Sequence, residues 1–302
     1  MLLISILLLV LTFVAVMLVS GNNLSACLGP AIGSRILSKN FGVSLGAIGF
    51  ALGLLVQGGA MKKSVETLLP NVTPELQAEA LLVTIAIFVV ADFIRAPLSY
   101  TMSLAGLLAG LSIARGSLMD QRYLFEVVGM WVIAPLIAIG FVFYLLRLFH
   151  TRFSKNVWNR LTTYKALIIL FSFSSAYVLG ANTIGLIVAT GGSTLTTTVA
   201  AVVAIFVGSF YLSAGEIKRV SEELFLMRYS NTMATLLAST FLVETATFFN
   251  IPLSNTQTLS AAVFGAGISY KSRFMSLRPF LTIVVGWIVA PLISFVLGFL
   301  IR

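Results

Sequence analysis

The stretch Pro252–Leu259 reads PLSNTQTL and sets the interpretation of the whole chain. Five of the six positions after its proline are polar, although long apolar runs flank the stretch on both sides. A second copy, PLSYTMSL, occupies Pro97–Leu104. One copy alone would be interpreted as a helix start, with proline in the first turn and a serine cap. The recurrence favours a functional role, and we call Pro97–Leu104 and Pro252–Leu259 the first and second proline elements.

Composition identifies the chain as a membrane protein. Of its 302 residues, 59% are hydrophobic and 10% are charged, and the mean hydropathy is +1.04. Soluble domains carry roughly 25% charged residues. Several uncharged stretches reach the ~20 residues that an α-helix needs to span a bilayer. The sequence therefore predicts an all-α polytopic protein of the cell membrane, surrounded by the lipid bilayer.

Charge and reactive side chains exclude several classes of protein. A net charge of +9 is compatible with nucleic-acid binding, but the basic residues lie between apolar runs, where the positive-inside rule explains them. No nucleic-acid partner is therefore expected. Cys27 is the only cysteine and His150 the only histidine, which leaves no disulfide and no cysteine metal cluster. With no paired acids and no nucleophile–base arrangement, we expect neither an enzyme nor a metal site.

A second motif interrupts the apolar runs in both halves of the chain. It reads SGNNLSACLGP at Ser20–Pro30 and GANTIG at Gly180–Gly185. Glycine and adjacent polar residues inside an apolar run predict a broken or unwound helix, although a loop between two helices would have a similar composition. At such breaks in transporters, free backbone oxygens coordinate cations and the N-terminal ends of half-helices face anions.

A third motif, WVIAP at Trp131–Pro135, returns as WIVAP at Trp287–Pro291, and we interpret both tryptophans as interface anchors or packing residues. Three motifs in the same order indicate a duplication. We predict a first transmembrane repeat over residues 1–147, a basic cytoplasmic linker over 148–165 and a second repeat over 166–302.

Each repeat has five candidate crossings, about ten in all, and an odd number inverts the second repeat. Most of the 19 basic residues then lie inside, which predicts extracytoplasmic termini.

Paired breaks in two repeats are the best sequence indicator of a transporter's substrate site. The chemistry of the proline elements favours an anion, because hydroxyl and amide donors beside the positive end of a helix dipole can hold a tetrahedral oxyanion. No arginine lies in either element, so this design differs from bidentate arginine recognition of phosphate. The predicted substrate-binding residues are Ser99, Tyr100, Thr101, Ser254, Asn255 and Thr256.

At these motifs the chain resembles the inorganic phosphate transporter (PiT) family, which carries a duplicated G-A-N-D-V-A-N-A-x-G signature and a duplicated P-[IV]-S-T-T-H-x-L element. The resemblance covers nearly the whole chain. It implies cation-coupled oxyanion uptake, with the anion held between the two Ser-Thr-Thr elements. The chain departs from the family at both signature aspartates, which are Asn23 and Thr183 here, and at both histidines, which are Met102 and Gln257.

The missing aspartates weaken the case for sodium coupling. The predicted coupling-ion residues are Asn22, Asn23, Asn182, Thr183 and Glu244. The first four offer a sodium ion only neutral oxygens, whereas Glu244 is a carboxyl within a span, where acids are costly and usually functional. We therefore expect proton-linked transport with Glu244 as the carrier, and sodium as the alternative. For Asp92, the other acid within a span, we prefer an ion pair with Arg95.

The sequence thus predicts a secondary active permease for inorganic phosphate, with sulfate or another oxyanion as the alternative substrate. An anion channel, in which the same hydroxyls would form a selectivity filter, is the rival from another class. No cofactor is predicted beyond a coupling sodium ion or proton. A second copy of the chain, forming a homodimer, is kept among the candidate partners. We further expect the two proline elements to face each other near the middle of the bilayer.

Overall fold

In a computed structural model, the structure describes residues 2–33, 35–93, 98–117, 119–152, 157–213, 229–270 and 277–301. These parts are helical nearly throughout and contain no strand, so the predicted all-α fold is confirmed for them. The helices of the first half are α1 (Leu2–Gly33), α2 (Lys39–Gln57), α3 (Met61–Leu68), α4 (Pro74–Phe93), α5 (Tyr100–Ala114) and α6 (Gln121–Arg152). Those of the second half are α7 (Val157–Leu179), α8 (Gly185–Thr190), α9 (Leu195–Tyr211), α10 (Tyr229–Phe248), α11 (Asn255–Tyr270) and α12 (Leu277–Leu300).

Seven helical segments in the described part of the chain are long and apolar enough to cross a membrane, and α5 is a shorter apolar helix. The chain is therefore a multi-pass membrane protein. α10 has 20 residues but carries hydroxyl side chains along its length. Some of these hydroxyls donate to carbonyls of the preceding turn, as Thr245 does to Phe241 and Thr247 to Val243, both at 2.7 Å. Such hydroxyls find their hydrogen-bond partners within the helix itself. The number of crossings, about ten, stays a prediction.

The helices of the two halves interleave. α5, which begins in the first proline element, packs along α12 of the second half, and α11, which begins in the second element, packs along α6 of the first half. In the same reciprocal way α1 packs along α9, and α2 along α7. Such matched pairs are what a duplicated chain is expected to give. The inversion of the second repeat, the side of the termini and the limits 1–147, 148–165 and 166–302 stay predictions.

Two glycines bring the backbones of α2 and α7 into direct contact. A Cβ atom at Gly53 would overlap the carbonyl of Tyr177, and one at Gly180 would overlap the carbonyl of Phe50. Small residues at such crossings let membrane helices approach closely. The end of α7 is therefore fixed against α2 where its α-helical hydrogen bonding gives way to a π-helical turn at Gly180–Ile184.

The break predicted at Ser20–Pro30 is wrong, because α1 is one continuous helix from Leu2 to Gly33. Gly21 is explained by helix packing instead, since a Cβ atom there would meet the Leu212 side chain at the end of α9. Pro30 lies in the last turn of α1, where it removes one backbone hydrogen bond close to the end of the helix. In the second half the predicted irregularity is present as the π-helical turn, a geometry that is frequent at functional sites.

Candidate functional site

Between α10 and α11 the chain is non-helical from Ile251 to Ser254, at the start of the second proline element. This segment is buried: Leu253 is 0% exposed and Ser254 is 2% exposed. The Ile251 N–H and the Ser254 carbonyl pair with backbone groups of α10 and α11, but the groups between them lack helical partners, and inside a membrane each must find a partner within the protein. The side chains that pair these groups therefore determine the conformation of the element.

α6 of the first half supplies one donor to this segment and one to the residue before it. The Tyr123 hydroxyl donates to the carbonyl oxygen of Asn250. Trp131 Nε1 donates to the carbonyl oxygen of Pro252 at 2.9 Å. Trp131 is 8% exposed, so the indole is a buried hydrogen-bond donor rather than an interface anchor. The second proline element is thus held by side chains of the opposite half.

Asn182, in the π-helical turn, forms hydrogen bonds with the backbone groups on either side of Pro252. Its Nδ2 donates to the Ile251 carbonyl at 3.0 Å and to the Thr247 hydroxyl at 2.9 Å, and its Oδ1 accepts from the Leu253 N–H at 3.1 Å. Because a carbonyl only accepts and an N–H only donates, these partners fix the orientation of the amide. Asn182 is fully buried, and its side chain bridges the break between α10 and α11. Its role as a coupling-ion ligand stays a prediction.

The next residue of the π-helical turn contacts the first proline element. The hydroxyl oxygens of Thr183 and Thr101 lie 2.9 Å apart, and both residues are buried. Consecutive residues of one turn therefore contact both proline elements, Asn182 the second and Thr183 the first. The two elements converge on this turn, and the expectation that they face each other directly stays a prediction. Their depth in the bilayer stays a prediction.

The described part of the first proline element begins α5. Ser99 caps this helix, since its Oγ accepts from the Met102 N–H at 3.4 Å. Tyr100 is buried, and its ring packs edge-on against Phe88 with the ring centroids 5.5 Å apart. The predicted substrate residues of this element therefore face the protein interior. Pro97 lies outside the described residues.

The hydroxyls of the second proline element cluster at the start of α11. Ser254 Oγ accepts from the Gln257 N–H at 3.2 Å and lies 2.9 Å from Thr256 Oγ1. Ser254 is buried and Thr256 is partly exposed. The first turn of a helix leaves backbone N–H groups without helical acceptors, and the helix dipole makes this end positive. The arrangement therefore offers neutral donors suited to an anion.

Asn255, another predicted substrate residue, connects four helices. Its Oδ1 accepts from the Ser239 hydroxyl of α10 at 2.9 Å. Its Nδ2 donates over longer distances to Ser175 Oγ of α7, at 3.4 Å, and to Cys27 Sγ of α1, at 3.5 Å. An anion at this position would compete with two long contacts for the amide nitrogen.

Asn22 and Asn23 lie on the continuous α1 and are partly exposed. The Ser25 hydroxyl donates to the Asn22 carbonyl at 2.8 Å. About one turn further along, Cys27 contacts Asn255, which places this part of α1 beside the start of α11. The oxygens of both asparagines are thus carried by a helix and not by a break, and their ligand role stays a prediction.

Glu244 lies one turn before Thr247 on α10, close to the π-helical turn. Its Oε1 accepts from Gln57 Nε2 at 3.0 Å, a contact between the second half and the last residue of α2. Glu244 is partly buried. Asp92, in contrast, is exposed on α4, and its predicted partner Arg95 lies outside the described residues.

Several residues of this site were not identified from the sequence as parts of it, among them Trp131, Tyr123 and Gln57. Trp131 belongs to a repeated motif, and that repetition was the available signal for a specific role. Tyr123 and Gln57 belong to none of the repeated motifs. Their importance depends on which helices meet across the two halves.

Repeated elements that meet inside a helical membrane bundle are typical of transporters. A family model described as "Phosphate transporter family" matches residues 19–179 and 155–298. The chain belongs to this phosphate transporter family, which is a family of transporters and not of enzymes.

Individual relatives extend over nearly the full chain. The protein of Methanocaldococcus jannaschii named "Putative phosphate permease MJ0630" is 22% identical over 97% of this chain and 95% of its own length. "Sulfate permease CysP" of Bacillus subtilis is 25% identical over 93% of this chain and 82% of its own length. A solved structure described as "The sodium-dependent phosphate transporter" has a TM-score of 0.86 and covers 99% of this chain and 100% of that chain, at 15% identity. This structural match shows that the two proteins share a fold.

Proposed function

We propose that the protein is a secondary active transporter that moves inorganic phosphate across the cell membrane, with sulfate as the alternative substrate. The observation that carries this proposal is the convergence of both proline elements on Asn182 and Thr183. Family membership supports transport. The relatives named as phosphate and sulfate permeases support an inorganic oxyanion as the substrate.

The proposed anion site combines neutral donors from both halves. They are Ser99, Tyr100 and Thr101 from the first proline element, and Ser254, Asn255 and Thr256 from the second. α5 and α11 both begin at these elements, so the positive ends of two helix dipoles contribute to the site. Neutral donors bind an anion less strongly than arginine does, and weaker binding allows release on the far side of the membrane.

The test is uptake of labelled phosphate and sulfate into proteoliposomes that contain the purified protein. A transporter gives saturable uptake that an ion gradient can drive against the substrate gradient. A flux that does not saturate and only runs downhill would identify a channel and contradict the proposal. Absence of uptake for both anions under all imposed gradients would overturn it as well.

Ser254→Ala and Thr256→Val are each expected to weaken substrate binding. Each change removes a donor to a charged ligand, a loss of roughly 1.5–3 kcal/mol, which corresponds to an increase of about 10- to 150-fold in KM. Met102→Leu, which removes no donor, is the control and should leave KM unchanged. An unaltered KM in both hydroxyl variants would remove the second proline element from the site.

For coupling, we propose a proton carried by Glu244. The signature positions hold Asn23 and Thr183 in place of aspartates, so a sodium ion would be coordinated only by neutral oxygens of Asn22, Asn23, Asn182 and Thr183. Glu244 is an ionisable group beside the π-helical turn, and it contacts the opposite half through Gln57. A change in its protonation therefore acts where the two halves meet.

Glu244→Gln is expected to abolish proton-driven accumulation of substrate while exchange of labelled for unlabelled substrate continues. Glutamine keeps an oxygen that accepts from Gln57 but cannot release a proton. Asp92→Asn, on the exposed face of α4, is the matched control and should accumulate substrate normally. The coupling proposal fails if Glu244→Gln still concentrates substrate under a pH gradient, or if wild-type uptake follows sodium and ignores pH.

A further inference from the structure

The proline of the WVIAP motif leaves one carbonyl that α6 cannot pair by itself. In an α-helix each carbonyl accepts from the N–H four residues later. The residue four positions after Trp131 is Pro135, which has no N–H. α6 nevertheless continues through Pro135 as a helix. The Trp131 carbonyl is therefore available to a donor from outside α6.

Gln257 supplies that donor. Its Nε2 donates to the Trp131 carbonyl at 2.9 Å, and Gln257 is 2% exposed. The indole of the same tryptophan donates to the Pro252 carbonyl at 2.9 Å. Trp131 thus holds the second proline element on both sides of Ser254 and Thr256, through its ring at position 252 and through its backbone at position 257.

The matching position of the first half has no such donor. The motif recurs at Trp287–Pro291 in α12, so the Trp287 carbonyl also lacks the N–H of a residue four positions later. α12 packs along α5 as α6 packs along α11. The residue that corresponds to Gln257 is Met102, and a thioether cannot donate a hydrogen bond. The carbonyl without a helical partner is therefore repeated, whereas the side-chain donor at position 257 is not repeated at position 102.

We propose that Gln257 is a positioning residue, which holds the hydroxyls of the second proline element in their anion-binding geometry by binding the carbonyl that Pro135 leaves open. The role rests on the proposed function, because it assigns Ser254 and Thr256 to an anion site. The two proline elements then differ. The second is hydrogen-bonded to α6 through Gln257, whereas Met102 of the first cannot donate a hydrogen bond to α12.

The test is a double-mutant cycle between Gln257→Met and Pro135→Ala in the full-length protein, reconstituted in proteoliposomes and assayed with phosphate and sulfate. Alanine restores an N–H at position 135, so the Trp131 carbonyl regains a helical partner. Gln257→Met alone is expected to raise KM about tenfold with kcat little changed. In the Pro135→Ala background the same change should raise KM less than about threefold. An equal rise in both backgrounds would overturn the proposal.

Gln257→His separates the donor from mere packing, because histidine keeps a side-chain N–H at this position. Its KM is expected to lie within about threefold of the wild-type value. A KM as high as that of Gln257→Met would show that the donor is not what positions the element, and would count against the proposal.

Thermal unfolding of the same four proteins of the cycle in detergent reports the contact without any transport. Coupling between positions 257 and 135 in the unfolding midpoints would support the Gln257–Trp131 contact. If the wild-type protein then transported neither anion, the proposed function would be overturned and the contact would stand as a structural one. Transport by the wild-type protein with no coupling between the two positions in KM or in unfolding would overturn the positioning role alone.

Discussion

Asn182→Leu is expected to abolish transport and to destabilise the protein strongly. Leucine is similar in size but pairs neither the Ile251 carbonyl nor the Leu253 N–H, and both would remain buried. Each buried backbone group left without a partner costs about 1–3 kcal/mol, so the two together cost about 2–6 kcal/mol. That is a large fraction of the 5–15 kcal/mol by which a typical domain is stable. The thermal unfolding midpoint in detergent and uptake in proteoliposomes measure the two effects.

Thr247→Val is the matched control for this change. Valine removes only the hydroxyl that accepts from Asn182 Nδ2 and leaves both contacts of the amide with the backbone in place. The expected loss is about 1 kcal/mol, with transport retained. If Asn182→Leu unfolded at the same temperature as Thr247→Val, the amide would not be what holds the break between α10 and α11.

Gly53→Leu is expected to prevent α2 and α7 from packing together. A Cβ atom at Gly53 already overlaps the Tyr177 carbonyl, and a backbone atom cannot move aside by changing rotamer. Overpacking inside a protein costs about 1–3 kcal/mol where side chains can adjust, so the loss here should reach or exceed the upper value. The displaced end of α7 would also carry Asn182 and Thr183 away from the proline elements. We expect little folded protein and no uptake.

Gly140→Leu provides the comparison for Gly53→Leu. Gly140 lies in the middle of α6, and a Cβ atom there would meet nothing within 4 Å. The same substitution should therefore leave the yield, the size-exclusion profile and the unfolding midpoint unchanged. Equal behaviour of the two leucine variants would mean that close contact between α2 and α7 is not required for the fold.

The helical class and the location of the candidate site are predictable because they depend on local patterns. Apolar runs identify the membrane class, and the recurrence of Pro97–Leu104 and Pro252–Leu259 identifies the elements that converge. Composition alone does not decide whether a glycine and asparagine motif breaks a helix. At Asn182 the irregular turn is supported by partners on α10 and in the second proline element. At Gly21 the glycine serves close contact with Leu212, and α1 continues.

The side chains that hold the second proline element are less predictable, because their partners lie in the opposite half. Tyr123 and Trp131 donate to carbonyls more than one hundred positions away in sequence, and a carbonyl leaves no signature in the residue type. Gln57 of the first half likewise donates a hydrogen bond to Glu244 of the second half. For Trp131 the repeated motif indicated a specific role. The sequence does not show that this role is a hydrogen bond to Pro252, because that bond depends on the packing of α6 beside α11.

The exchange of helices between the halves determines when the protein can finish folding as it is synthesised. α5 is buried along most of its length, yet its main packing partner, α12, is synthesised after all the other helices that the structure describes. Until then α5 must remain in lipid or in the insertion machinery without that partner. Contacts between distant segments form late and slowly. The first half made alone would therefore stay incomplete, and two half-length chains made together would each supply the helix that the other lacks.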